Sequence, residues 1–193
     1  AWERKGFRYS YDMLGEAART EADAARYFDA YAAAIRAIGP ACQGARVADN
    51  PGISVKLSAL HPRYEEAQRD RVLAELAPRL LALCRMAAER NMGLNIDAEE
   101  QDRLALSLDL IAAVLPDAAL AGWDGFGVVV QAYGVRAGAM IEAVSDLARR
   151  HGLDPARLDD WLDTGLERLA AAHPRFRCAT GHEALAARLA LGL

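Results

Sequence analysis

The chain has 193 residues, of which 53% are hydrophobic and 26% charged, and its formal net charge is -4. This length and composition suit one globular domain, 1–193, with a sizeable core. The slight negative charge and the scattered Lys and Arg residues argue against a nucleic-acid-binding protein. No apolar stretch approaches the roughly 20 residues of a membrane-spanning helix.

Four apolar strand candidates alternate with longer helical stretches. The predicted strands are 7–14, 52–60, 93–100 and 125–133, and the last of them is expected to be the most deeply buried. The predicted helices, which carry apolar residues at helical spacing, are 15–39, 65–91, 102–115 and 137–152. Pro78, inside the second helix, predicts a break or a kink.

Strand and helix in alternation predict parallel βαβ units, and so a doubly wound sheet or a (βα) barrel. No G-x-G-x-x-G motif follows a strand, which counts against a dinucleotide-binding Rossmann domain. Each strand carries a polar residue of interest toward its carboxyl end, where barrel enzymes place their chemistry. These residues are Asp12, Lys56, Asp97 and Gln131. The pattern favours an α/β fold of the (βα)8 TIM-barrel type with four clear βα units.

The alternation stops after Gly152. Residues 153–173 are predicted to be helical with no strand before them, and "RFRCATGH" (175–182) is the candidate for a fifth strand. A complete barrel typically takes about 250 residues. We therefore expect an incomplete barrel, either a fragment or a chain with an internal deletion after about residue 150.

Each polar strand-end residue has a structural and a functional interpretation. Lys56 could lie with its stem along apolar surface and its ammonium in water, bind a substrate carboxylate, or have a lowered pKa. Asp97 could cap the next helix, and Glu99 and Glu100 are expected to be solvated acids of its first turn. The Gln131 amide suits a polar heterocycle, or is a satisfied core glutamine.

The four histidines show no metal-ligand spacing, so no metal site is predicted. His61, followed by proline, is expected to lie in a loop. Three widely separated cysteines do not form a disulfide framework. Reduced thiols and the lack of a signal-peptide pattern favour a cytoplasmic location.

Four segments together resemble one known family: "RYSYDMLGEAA", "PGISVKLSALHPRY", "NIDAEEQDRLALSLDL" and "GWDGFGVVVQAY". They are similar to the proline dehydrogenase domain of the bacterial proline utilisation A flavoenzymes. The resemblance covers about residues 5 to 150, and residues 152–193 diverge from it. It implies a distorted (βα)8 barrel and non-covalently bound FAD. It also implies oxidation of L-proline to Δ1-pyrroline-5-carboxylate by hydride transfer to flavin N5, with electrons passed to a membrane quinone.

The resemblance implies roles for the substrate-binding residues. Lys56 matches a lysine that helps to hold the proline carboxylate. Asp97 matches an active-site aspartate that organises the pocket beside the flavin, so Asp97 and Lys56 are the predicted catalytic pair. Asp12 matches a residue lining the pocket, and Glu16 matches a glutamate that forms an ion-pair gate with an arginine of the last barrel helix.

The resemblance also implies cofactor-binding residues. Gln131 matches a glutamine that hydrogen-bonds the isoalloxazine, and Asp97 lies beside the flavin. Thr180 and His182 are counterparts in a flavin-binding stretch, although Gly181 separates two residues that are adjacent in the family. The family's arginine- and lysine-bearing segment after the fourth strand has no counterpart here.

The implied partners are L-proline, a quinone, the remainder of the barrel and an aldehyde dehydrogenase domain. The full-length protein would then lie at the inner membrane as a peripheral protein. Two alternatives remain open at this point. One is a non-catalytic barrel fragment with a structural or partner-binding role. The other is a phosphate-binding half-barrel, although no glycine-rich phosphate loop follows any strand.

Overall fold

A computed structural model describes residues 8–131 and 134–151. The described residues fall into two compact units, the first ending at Val129 and the second beginning at Val130. The prediction of one domain over 1–193 stays a prediction, and the candidate fifth strand lies outside the described residues. In the part of the chain that the structure describes, no helix is long and apolar enough to cross a bilayer.

The first unit is built on one parallel sheet of four short strands. The strands are β1 (Ser10–Asp12), β2 (Gly52–Val55), β3 (Gly93–Ile96) and β4 (Phe126–Val128). They are hydrogen-bonded in chain order, β1-β2-β3-β4. A doubly wound sheet reverses its strand order part-way, whereas a (βα) barrel adds each strand beside the last. The sequential order therefore favours the barrel.

Helices connect these strands, and one more lies in the described part of the second unit. They are α1 (Glu21–Ile38), α2 (Leu57–Leu60), α3 (Arg69–Ala88), α4 (Leu104–Val114) and, in the second unit, α5 (Ala137–Arg150). A capping box begins α1: Asp23 N donates to Thr20 Oγ1 at 3.1 Å, and Thr20 N donates to Asp23 Oδ2 at 3.0 Å. This exchange satisfies two helix-end donors and moves the start of α1 six residues past the predicted start.

The core of the first unit lies where β2 and β3 meet α1, α3 and α4. Alternate residues of the two central strands are fully buried, as expected where every second side chain points to the same face of a sheet. The buried side chains of the strands and helices include Ile53, Val55, Leu94, Ile96, Ile35, Leu76, Leu80, Leu83, Leu106 and Leu110.

Two predictions about the strands are wrong. The run 52–60 is not one strand, because β2 ends at Val55 and Leu57–Leu60 form the single helical turn of α2. The fourth strand is half-buried rather than the most deeply buried. It lies at the edge of the described sheet and so has one neighbouring strand instead of two.

The predicted break at Pro78 is absent, because α3 continues through it. Proline lacks the N–H that would donate to the carbonyl of Ala74. Both residues are exposed, so water can hydrogen-bond that carbonyl in place of the helix. The proline is tolerated because it lies on the solvent-facing side of the helix.

Burial raises the pKa of the Cys84 thiol to about 12, from 9.0 in an exposed chain. Protonated Cys84 thus stabilises the fold fully below about pH 9, and the contribution is lost as the pH rises toward 12. At pH 8 we expect a thiol-labelling reagent to modify half-buried Cys42 well before Cys84. Labelling of both at equal rates in the native protein would contradict a buried, neutral Cys84.

Candidate active site

The carboxyl ends of the first three strands bring one lysine and two aspartates into contact. Lys56 Nζ lies 2.9 Å from each Asp12 carboxylate oxygen and 2.8 Å from Asp97 Oδ2. The Lys56 side chain is 14% exposed, compared with 26% for Asp97 and 54% for Asp12. We call these three side chains the lysine–carboxylate cluster. Each of these residues was predicted from the sequence to lie at a strand end, and in the structure their side chains are in contact.

The register of the sheet explains this meeting. Val55 lies opposite Ile96, and Asp97 N donates to Val55 O at 2.9 Å, so Lys56 and Asp97 leave their strands at the same level. On the other side, Asp12 lies opposite Ser54. Lys56 keeps an extended backbone and therefore points to the same face as Ser54, two residues before it. Lys56 thus reaches both aspartates.

The cluster keeps its lysine charged. Burial alone would lower the pKa of Lys56, but hydrogen bonds and charge attraction from Asp97 and Asp12 outweigh it and raise the pKa. The interpretation of Lys56 as a lysine with a lowered pKa is therefore wrong. So is the interpretation of a surface lysine reaching only water, since its ammonium contacts two carboxylates. One positive and two negative charges leave the cluster with a net charge of -1.

The backbone beside the cluster is also fixed. Lys56 N donates to Tyr31 Oη of α1 at 3.1 Å. Tyr31 is 1% exposed, and burial raises the pKa of its phenol, so it remains neutral. The buried Tyr31 phenol of α1 thus fixes the backbone at Lys56, between the end of β2 and the start of α2.

Replacing Asp12 with asparagine should make Lys56 more reactive toward an amine-acylating reagent. The substitution removes one of the two carboxylates that raise the lysine pKa, so more free amine is present at a given pH. Acylation of Lys56 at pH 8, measured by mass spectrometry, is expected to be faster than in the wild type. Asp49→Asn, which alters an exposed pair with Arg46, is the control. Equal rates in wild type and Asp12→Asn would show that Asp12 does not influence Lys56.

Two expectations for the acidic segment after β3 are wrong. Asp97 does not cap a helix: α4 begins at Leu104, and Asp97 Oδ1 accepts from Ala98 N at 2.9 Å. Glu99 is not a solvated acid, because it is half-buried, and burial raises its pKa. Glu100 is exposed as expected and pairs with Arg103 at 3.1 Å. A sequence signal that could have found Glu99 is its i, i+2 spacing from Asp97, since residues at this spacing share one face of an extended chain.

His61 lies in a loop directly after α2, as predicted, but its side chain is buried. Its Nδ1 accepts from Arg63 N at 3.1 Å, so the other ring nitrogen carries the proton and donates to Glu75 of α3 at 3.0 Å. Arg79 of α3 also donates to Leu60 O at 2.8 Å. These bonds attach α2 to α3 immediately after the lysine–carboxylate cluster.

The remaining predicted site residues are Glu16, Gln131, Thr180 and His182. Glu16 is on an exposed segment that follows β1. Gln131 is half-buried in the second unit. Thr180 and His182 lie outside the described residues. Over residues 8–131 and 134–151, no group of three or more His, Cys, Asp or Glu side chains could hold a metal ion.

A family model described as proline dehydrogenase matches residues 1–156. The chain belongs to the proline dehydrogenase family. The bifunctional protein PutA of Salmonella typhimurium is 57% identical over 148 residues, covering 77% of this chain and 11% of that protein. The bifunctional protein PutA of Rhizobium meliloti is 53% identical over 150 residues, covering 78% of this chain and 12% of that protein. This chain therefore matches only a small part of each relative.

Solved structures agree. The crystal structure of a bifunctional proline utilization A (PutA) protein aligns with a TM-score of 0.73 and 59% identity, covering 75% of this chain and 15% of that one. A PutA from Bradyrhizobium japonicum aligns with a TM-score of 0.73 and 54% identity, covering 83% of this chain and 17% of that one. The α/β barrel-type prediction and the resemblance drawn from four sequence segments are both confirmed.

Proposed function

We propose that the lysine–carboxylate cluster binds L-proline for flavin-dependent oxidation to Δ1-pyrroline-5-carboxylate. The observation that supports this most directly is the partly buried Lys56 ammonium held between Asp12 and Asp97 at the carboxyl ends of parallel strands. Barrel enzymes assemble their active sites at that end. Membership of the proline dehydrogenase family supplies the reaction class.

The charges of the cluster suit a zwitterion better than a simple anion. A net charge of -1 would repel an anion, but proline carries a carboxylate and a protonated ring nitrogen. Lys56 can bind the carboxylate as a charged hydrogen-bond donor. The carboxylates of Asp12 and Asp97 can accept from the ring nitrogen. The proposed substrate class is thus a small cyclic amino acid.

FAD is the cofactor that the family implies, and the chemistry of the available side chains fits it. A flavin ring presents both donors and acceptors at its edge. Gln131 offers an amide with both functions at a half-buried position three residues after β4. Gln131, Asp97 and, beyond the described residues, Thr180 and His182 are the proposed cofactor-binding residues. Bound FAD would supply the two-electron acceptor for the reaction.

The chain's own residues would bind and orient the substrate. Oxidation of proline removes a hydrogen with its electron pair from the ring carbon next to nitrogen and a proton from nitrogen, and the C=N bond forms. Because Asp12 and Asp97 raise its pKa, Lys56 stays protonated and serves as an anchor rather than a base. A quinone accepts the two electrons at the end of the cycle.

The proposal is tested by assaying the protein in its native form with FAD, L-proline and a water-soluble quinone. We expect quinone reduction to match the amount of Δ1-pyrroline-5-carboxylate measured by mass spectrometry. Pyrrolidine, which has the ring but no carboxylate, should be a poor substrate because it cannot use the Lys56 anchor. Absence of product would favour the alternative of a non-catalytic barrel element, and equal turnover of pyrrolidine would contradict carboxylate anchoring.

Replacing Gln131 with alanine should change the reduction potential of bound FAD without weakening proline binding. The expected cause is loss of hydrogen bonds to the flavin ring, which tune its electronics. The potential is measured by anaerobic dye titration, with Gln68→Ala as the control because Gln68 is exposed at the start of α3. An unchanged potential would remove Gln131 from the proposed cofactor site.

A further inference from the structure

Ser58 connects three separate segments of the chain beside the lysine–carboxylate cluster. It is 3% exposed in the single turn α2. Its hydroxyl oxygen accepts from Ala17 N at 3.1 Å, and its carbonyl accepts from Ala18 N at 2.9 Å. Its backbone N–H donates to Glu99 Oε1 at 3.0 Å. One serine thus holds the segments that follow β1 and β3.

The contact between Ser58 and Glu99 follows the contact between Lys56 and Asp97 by two residues on each segment. Lys56 contacts Asp97 at 2.8 Å, and two residues later on each segment Ser58 contacts Glu99 at 3.0 Å. At the residue before Lys56, the carbonyl of Val55 accepts from Asp97 N at 2.9 Å. The side chains therefore continue the alignment of β2 with β3 after the sheet itself has ended.

The same residue also fixes the chain on the other side of β2. Asp12 ends β1, and Ala17 and Ala18, five and six residues later, are the ones held by Ser58. Ala17 has a φ of 52°, an angle that only a minority of residues other than glycine adopt. The bond to Ser58 is one of the contacts that hold this conformation.

We propose that Ser58 is a positioning residue for proline oxidation, setting how far Asp12 and Asp97 lie from Lys56. The inference rests on the proposed function of the cluster. Ser58 acts through backbone segments rather than by touching substrate. A hydroxyl is needed because its oxygen accepts from Ala17 N at 3.1 Å, which an apolar side chain cannot do. Alanine at this position would leave the Ala17 N–H without its acceptor, whereas the backbone N–H that donates to Glu99 would remain.

The test compares Ser58→Ala with variants that keep the hydrogen bonds. Loss of one such bond is typically worth a factor of about 5 in an equilibrium constant. In Ser58→Ala we expect the KM for L-proline to rise about 5-fold, with FAD affinity unchanged. Ser58→Thr keeps the hydroxyl, and Glu99→Gln keeps an oxygen that can accept from Ser58 N, so the KM of each variant should stay close to that of the wild type. Ser107→Ala, which removes a hydroxyl that donates to Leu104 O at 2.8 Å within α4, is the matched control.

Amide hydrogen exchange supplies a readout that does not depend on catalysis. The Ala17 and Ala18 amides should exchange slowly in the wild type and faster in Ser58→Ala. An unchanged KM in an active Ser58→Ala enzyme would overturn the positioning role, and unchanged exchange would overturn the link itself. A wild-type protein that does not oxidise proline would instead overturn the proposed function, while the exchange result would still report on Ser58.

Discussion

Lys56→Met is expected to lower kcat/KM for L-proline on the order of 100-fold. Methionine keeps the length of the side chain but removes the cation that binds the substrate carboxylate. It also leaves Asp12 and Asp97 facing each other without the ammonium between them, so the site gains a second uncompensated negative charge. Truncating one partner of a buried, hydrogen-bonded charge pair is typically costly for this reason. Steady-state kinetics with varied proline concentration measure the effect.

Two further variants test whether the positive charge of Lys56 is the cause of the expected loss of kcat/KM. Lys56→Arg keeps the charge but replaces a compact ammonium by a planar guanidinium, so only partial activity is expected. Arg46→Met removes a cation from an exposed pair with Asp49, and such surface pairs contribute little. If Lys56→Met weakened FAD binding and proline binding equally, the lysine would be a structural support rather than a carboxylate anchor.

Gly15→Ala should destabilise the protein by about 1–3 kcal/mol. Gly15 has a φ of +121°, and an added Cβ would lie 2.3 Å from Cε1 of Tyr27. The substitution therefore combines backbone strain with a steric clash against the ring of α1. Because Gly15 lies between Asp12 and the Ser58-bound residues, activity should fall as well. Urea denaturation measures the loss of stability.

A comparison of Gly15 with Gly122 separates the cost of backbone strain from the cost of the steric clash. Gly122 has a φ of +77° with nothing within 4 Å of an added Cβ, so Gly122→Ala should cost only the backbone term of about 1–2 kcal/mol. Tyr27→Ala should reduce the cost of Gly15→Ala if the ring is the obstacle. Equal costs for Gly15→Ala and Gly122→Ala would show that Tyr27 yields freely and that the clash has no effect.

The periodic parts of the fold could be predicted from the sequence. Strand-helix alternation gave four parallel strands in order, and a polar residue at each strand end identified Asp12, Lys56 and Asp97 before any contact was known. Periodicity could not place the end of β2, since "GISVKLSAL" is equally apolar in its strand and helical parts. It also could not show that Pro78 faces solvent, which is what lets α3 continue.

The missed residues depend on contacts distant in sequence. Glu99 has the composition of a solvated helix-start acid, but it is half-buried and accepts from the backbone N–H of Ser58, 41 residues earlier. His61 is likewise buried and hydrogen-bonds Glu75 of α3, 14 residues later in the chain. Local sequence patterns indicate which face of a helix or strand a residue occupies. They do not identify a hydrogen-bond partner that is distant in sequence, because that partner depends on how the strands align.

The most direct measurement is the visible absorption spectrum of the protein in its native form with FAD, before and after anaerobic addition of L-proline. A flavin spectrum that bleaches with proline in the wild type, and bleaches only at far higher proline concentration in Lys56→Met, is the result that we expect. A flavin that proline does not reduce, or one that is reduced equally well without Lys56, would contradict proline oxidation at the lysine–carboxylate cluster.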